Sequence, residues 1–233
     1  MAPDPVTDVQ RKAARFVGAA YLTAMPLALF SGFYVPMQLI VATDAAATAQ
    51  NIIAHERLFR IGVASDLLAF LIDIVLITAL YAVLEPIHRN LARFATFVRL
   101  VETSLYVVIT VNGLDALRLL GHADYLKPFS PEQLQALARL SIGAHNTAYS
   151  AGLFFAGVGS AVFCFLWLRS RLVPAWLAYL GLAASLVLAA STGAFIVYPE
   201  LAKTLTIAFY GGPIFVFELT MGAWLVIKGI RTR

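Results

Sequence analysis

The chain of 233 residues is 61% hydrophobic and only 13% charged, with a mean hydropathy of +0.81. An ordinary soluble domain is about half apolar and a quarter charged, so the composition excludes a water-soluble globule and implies an integral membrane protein. The net charge of +4 comes with no basic run long enough for nucleic acid, and the single cysteine, Cys164, excludes an intramolecular disulfide.

No polar region is long enough to fold alone, so residues 1–233 are expected to form a single membrane domain, with 1–13 as a disordered cytoplasmic tail. A basic cluster then precedes an apolar stretch from Phe16 to Ala42. A cleavable signal has an apolar core of only about 7–15 residues, so this stretch is expected to remain as a helix, although "AAATA" after it resembles a cleavage region. Crossing roughly 30 Å of hydrocarbon takes about 20 apolar residues. Six segments meet that length: 16–41, 58–84, 91–120, 141–168, 175–198 and 205–228. In lipid each must satisfy its own backbone, so the fold class is all-α, a polytopic bundle of six transmembrane helices. Pro26 and Pro36 remove backbone donors from the first span and predict a kink.

Between the first two spans, "TDAAATAQNIIAHERLF" opens on the N-cap residues Thr43 and Asp44 and reads as a short outer-side interfacial helix. The second span carries Asp66 and Asp73. They are seven apart, so they share a face, with Asp66 about 10 Å further outward. On the third span Arg99 and Glu102 are three apart on one face, which Tyr106 shares. Asp115 and Arg118 lie on nearly the opposite side and read as a boundary ion pair. "FSPEQLQALARL" places Ser130 at an N-cap, Pro131 at the first helical position and Gln133 in a capping box. That helix is expected to run straight into the fourth span. His145 and Tyr149 fall on the small-residue face of this span. Ala148, Gly152, Ala156, Ser160 and Cys164 recur every four residues there, as do Gly181, Ser185, Ala189 and Gly193 on the fifth. This spacing predicts a tight seam between the two helices. The sixth span carries Glu218 near the depth of Asp73.

With the N-terminus inside, ten basic residues flank the inner ends of the spans and six the outer ends, which places both termini in the cytoplasm.

A charge at the bilayer centre costs several kcal/mol unless it is paired, by the lower scale about 2.5–3.5. Asp73, Glu102 and Glu218 have one arginine, Arg99, near their level, and Asp66 is a further acid above them. If they share a cavity, one of them holds a proton, a cation or water. The plainer alternative is that these groups only bond helices together. Other chemistries find little support. No lysine lies mid-span, as a retinal protein requires. Only His145 lies within a span, too few for bis-histidine haem, and no histidine spacing suits a zinc hydrolase. "GVGSAV" near Ser160 lacks the strand-turn-helix setting of a nucleophile elbow. No cofactor and no metal is expected.

The segments "LFRIGVASDLLAFLIDIVLITALYAVLEPIHRNLA", "HNTAYSAGLFFAG", "RSRLVPAWLAYLG" and "FELTMGAWLVIKG" resemble an uncharacterised bacterial integral membrane protein family, domain of unknown function 4386. The resemblance runs from about Ala14 to Gly229. It implies a six-helix protein of the bacterial inner membrane and brings no reaction, ligand or catalytic residue with it.

Three functional readings follow, with the lipid bilayer as surroundings, a small-molecule or lipid-like ligand, and no nucleic acid. The first is a small-molecule or ion permease, proton-linked through Asp73 and Glu218, with Arg99 setting their charge and Asp66 and His145 lining the outer approach. The second is an intramembrane enzyme on a lipid-like substrate, with His145 and Asp66 as base and orienter. The third is a scaffold or sensor subunit. Substrate, catalytic residues and oligomeric state are not specified by the sequence.

Overall fold

The computed structural model describes residues 6–121 and 123–231 and, at positions 145 and 146, the backbone alone. Helices are the only regular elements among the described residues. Helix α1 spans Asp8–Leu29 and passes through a π-helical turn, Phe30–Tyr34, into α2, Val35–Leu39. Then come α3 (Ala45–Ala54), α4 (Glu56–Leu84), α5 (Arg89–Leu119) and a 3-10 turn at Asp124–Leu126. Helix α6 covers Pro131–Ser170 and α7 Ala175–Val197; α8 (Leu201–Thr204), α9 (Ile207–Tyr210) and α10 (Gly212–Ile227) follow.

Five of these segments are long and apolar enough to cross a membrane: Asp8–Leu39, Glu56–Leu84, Arg89–Leu119, Pro131–Ser170 and Ala175–Val197. The stretch expected as a sixth span is divided, and its longer part, α10, has 16 residues. The break falls at Gly211–Gly212–Pro213. Proline there cannot donate to the preceding turn, so the helix restarts with Pro213 in its first turn.

Local signals decide several boundaries. Helix α1 begins inside the stretch expected as a disordered tail, because Thr7 and Gln10 form a reciprocal cap. The Gln10 backbone N–H donates to Thr7 Oγ1 at 3.2 Å, and the Thr7 N–H donates to Gln10 Oε1 at 3.0 Å. The Gln10 amide also donates to the Val83 carbonyl at 3.1 Å, which ties this end down. Residues 1–5 lie outside the described chain. Asp44 caps α3 by accepting from the Ala47 N–H at 2.9 Å. The capping box of α6 is present: the Ser130 N–H donates to Gln133 Oε1 at 2.9 Å, and the Gln133 N–H donates to Ser130 Oγ at 3.3 Å. The helix then runs unbroken for 40 residues. Between Pro26 and Pro36 the helix widens into its π turn, where the Val35 N–H donates to the Phe30 carbonyl.

The chain packs as two compact units, and α1, α4, α5 and α6 contribute to both. Unit 1 contains the chain up to Thr23, Ile72–Thr103 and everything from Ser150 onward. Its core is built on Val17, Val83, Trp167, Leu177, Phe217 and Met221, all buried. Where lipid replaces water, helices gain little by hiding apolar surface from one another, so close backbone approach has to hold them. The predicted seam between α6 and α7 is of this kind. A Cβ on Gly157 would lie 2.6 Å from the Ala189 nitrogen, and one on Gly181 would lie 2.6 Å from Cys164 Sγ. Helices α1 and α10 meet likewise at Gly18, a contact that the sequence pattern did not suggest.

Unit 2 contains Ala24–Leu71 and Ser104–Tyr149. Val35, Leu39 and Ile52 are its buried centre, with Phe59, Leu117 and Ile142 packed against them. Ser141 Oγ donates to the Asn112 carbonyl at 2.8 Å and joins α6 to α5.

Candidate functional site

Unit 1 holds a buried polar layer built by α4, α5, α6 and α10. Arg99, Glu102 and Thr103 fall at i, i+3 and i+4 of α5, so one face of that helix presents all three. Asp73 of α4 meets this face. Arg99 Nη2 donates to Asp73 Oδ1 at 2.6 Å, and the Thr103 hydroxyl donates to Asp73 Oδ2 at 2.6 Å. Both carboxylate oxygens of Asp73 are thus engaged. Arg99 Nη1 lies 3.0 Å from Glu102 Oε2 and donates to Ser160 Oγ of α6 at 3.2 Å. Arg99 Nε has no hydrogen-bond partner among the described residues.

The side chains of Arg99, Asp73 and Glu102 are only 8%, 15% and 4% exposed, so solvent screens them little. Glu218 of α10 is half-buried and lies within Coulomb range of Arg99 and Asp73, with no ion pair of its own among the described residues. Tyr21 and Cys164 border the same charges. Three carboxylates therefore share one guanidinium. Removing a charge from water costs several kcal/mol even after relaxation, and only good pairing offsets it. Two of the acids have that pairing through Arg99; ionisation of all three would leave the layer with a net charge of −2.

Space for the arginine comes from α6. A Cβ on Gly159 would fall 2.7 Å from Arg99 Cγ and 3.3 Å from the Ala95 carbonyl oxygen. The stem of Arg99 therefore crosses directly over a glycine backbone. Sequence reasoning took Ser160 only as a seam residue and passed over Thr103 and Gly159. The signal for Thr103 was its place one turn after Arg99; nothing local marked Gly159.

The other expected residues lie elsewhere. Asp66 belongs to unit 2, where it lines a cavity of about 150 Å³ together with Ser31 and Arg139. Tyr149 stacks on Tyr106 with ring centroids 5.5 Å apart, and Tyr106 packs on Phe70 at the same distance. The His145 side chain lies outside the described residues. Asp115 and Arg118 do pair, at 3.1 Å, with both side chains substantially exposed. Among the described residues no three His, Cys, Asp or Glu side chains are placed to hold a metal ion.

Residues 16–229 match the family model described as Domain of unknown function (DUF4386). No curated protein and no solved structure matches the chain.

Proposed function

The chain belongs to the family of domain of unknown function 4386, and we propose that it is a single six-span domain of the bacterial inner membrane, working as a proton-linked permease for a small molecule or ion. The observation that carries this reading is the charge balance of the buried layer, in which Asp73, Glu102 and Glu218 share Arg99. Asparagine or glutamine could bond helices together without any charge to neutralise. Carboxylates in excess of their cation instead make a place where a proton can be held or released.

In this reading Glu218 carries a proton while Asp73 and Glu102 hold the guanidinium. A proton arriving on Asp73 weakens its grip on Arg99 Nη2, and the guanidinium becomes free to turn to an anionic group of the cargo, or to Glu218 as that acid gives up its proton toward the other side. Asp73 is the more exposed of the two acids paired with Arg99, which suits it to exchange protons with an aqueous approach.

Six spans are supported by α9 and α10 together. They run from Ile207 to Ile227, long enough at 1.5 Å per residue to cross about 30 Å. An even number of spans puts both termini on one side, and the excess of basic residues at the inner ends supports the cytoplasm. Helix α3 buries Thr48, Ala49 and Ile52, which suits a helix lying at the outer interface.

The test needs no substrate. The protein is reconstituted in vesicles enclosing a pH-sensitive dye, and proton entry is followed under an imposed potential. Wild type is expected to conduct several-fold above Asp73→Asn and Glu218→Gln. Equal flux in all three would remove the proton-linked reading.

A further inference from the structure

Unit 2 carries a second set of polar groups, with Ser31 buried and Asp66 and Arg139 half-buried, and the proton-linked reading does not use it. The cavity of about 150 Å³ is lined by the segment from Ser31 to Ile40 together with α4, α5 and α6 and is partly open. Contacts along the wall give the order of its levels. At one end Ser31, buried, sits beside the Asp66 carboxyl while its own hydroxyl donates to the Leu27 carbonyl at 2.9 Å. One turn further along, Gly62 faces Val35, since a Cβ there would lie 3.2 Å from both Val35 methyl groups. Leu39 and Phe59 form the next level. Beyond them Arg139 lines the cavity and donates from Nη2 to the Ala42 carbonyl at 3.3 Å. The helical rise from Ser31 to Leu39 is about 12 Å. Asp66 and Arg139 therefore stand toward opposite ends of a largely apolar, partly open pocket. Among the described residues neither has an opposite charge within ion-pair distance.

Two charges held apart along one largely apolar volume define what would fill it. Neither has a counter-charge among the described residues, so a ligand that is neutral overall and carries an opposite charge at each end satisfies both. The apolar wall requires a hydrocarbon middle. A cavity of about this volume holds a benzene-sized body, which limits the hydrocarbon middle to at most about six carbons, with the charged groups seated at the two end residues. An α-amino acid carries its two charges side by side and can reach only one end. A simple amine or a simple carboxylate leaves one end unanswered and brings an unbalanced charge.

We infer that this cavity binds a linear ω-amino carboxylate of about four to six carbons, with its ammonium group at Asp66, its chain against Val35, Leu39 and Phe59, and its carboxylate on the Arg139 guanidinium. Arg139 presents a planar fork of donors, which fits a carboxylate better than an ammonium point charge would.

The probe is 6-aminohexanoate, titrated calorimetrically into the full chain in lipid nanodiscs. Three analogues of the same carbon count serve as comparisons: hexylamine, hexanoate and 2-aminohexanoate. The expected result is binding of 6-aminohexanoate at least ten-fold tighter than each analogue to the wild-type protein. Asp66→Asn and Arg139→Gln should each weaken it ten-fold or more, while Arg139→Lys, which keeps the charge, should retain part of the affinity. Failure of 6-aminohexanoate to bind, or equal binding of 2-aminohexanoate, would overturn the inference without any variant. Tighter binding of hexylamine alone or of hexanoate alone would do the same, since it would make one end of the cavity irrelevant. The proton-flux measurement bears on unit 1 residues only, so either result can fail without the other.

Discussion

Asp66 and Asp73 stand seven positions apart on α4, and their surroundings differ in kind. In unit 1 both oxygens of Asp73 are engaged, one by Arg99 and the other by Thr103, at 2.6 Å each. In unit 2 Asp66 has beside it, among the described residues, the Ser31 hydroxyl, which also donates to the Leu27 carbonyl. The nearest basic side chain lining its cavity, Arg139, donates to the Ala42 carbonyl. Residue type and helix face are the same in both cases, so neither decides what a buried acid does. The groups offered by other helices decide it. One region has consumed its charges in internal bonds and retains chemistry only through the acid left over. The other keeps two charges apart across an apolar volume, an arrangement that costs stability unless something joins them.

The sharpest way to break this comparison is to remove the cation from each region in turn. Arg99→Gln leaves Asp73 and Glu102 buried without their guanidinium, and removing one partner of such a group costs about 3–5 kcal/mol. Arg139→Gln removes a half-exposed side chain that pairs with no acid among the described residues, so a change of only about 0.5 kcal/mol is expected. Unfolding in mixed detergent micelles, followed by tryptophan fluorescence, measures both. Similar losses for the two variants would mean that Arg139 already has an internal carboxylate partner, and the contrast would vanish.

Glycines give a second, smaller contrast. A methyl group at position 159 would fall 2.7 Å from Arg99 Cγ. The guanidinium is held by Asp73, Glu102 and Ser160, so the stem cannot swing away without breaking bonds. Gly159→Ala should cost about 1–3 kcal/mol, as overpacking of a well-filled site does. At position 62 the new methyl would meet Val35 at 3.2 Å, but Val35 borders open volume and can yield. Alanine also favours a helix over glycine by about 1 kcal/mol, so Gly62→Ala should stay within about 1 kcal/mol of wild type. The same unfolding assay separates the two.

Much of the architecture was legible because membrane helices announce themselves locally. Apolar length marked the five long spans, and Asp44 and the Ser130–Gln133 pair marked helix starts that the structure contains. The sixth stretch was misread as continuous because Gly211–Gly212–Pro213 changes mean hydropathy little while breaking the backbone ladder. In the polar layer, the shared face of Arg99 and Glu102 followed from helical spacing. Their meeting with Asp73 rested on the scarcity of cations, which permits few pairings. Helical spacing along α4 put Asp66 and Asp73 on one face, with Asp66 further outward. It could not show that Asp66 has Ser31 as its neighbour, because that contact depends on the π turn between Pro26 and Pro36. Gly159 and Arg139 were invisible for a related reason: their roles are set by a partner distant in sequence, and nothing in their own windows marks them.

The finest form of the comparison concerns the two aspartates themselves. Asp73→Asn discards a charge that Arg99 and Thr103 both contact, and charge-assisted bonds of that kind contribute about 1.5–3 kcal/mol each. A loss in that range is expected. Asp66→Asn should have the opposite sign or none, because it removes a partly desolvated carboxylate that has gained no cation among the described residues, and a gain of up to about 1 kcal/mol is consistent with that cost. The amide keeps the shape and can still hydrogen-bond to Ser31. A stabilised Asp66→Asn protein that has also lost 6-aminohexanoate would show the charge to be present for a ligand, since the fold alone is better without it. A loss as large as that of Asp73→Asn would instead mean that Asp66 is already fully partnered within the fold, and the cavity would then be a packing defect beside a structural acid.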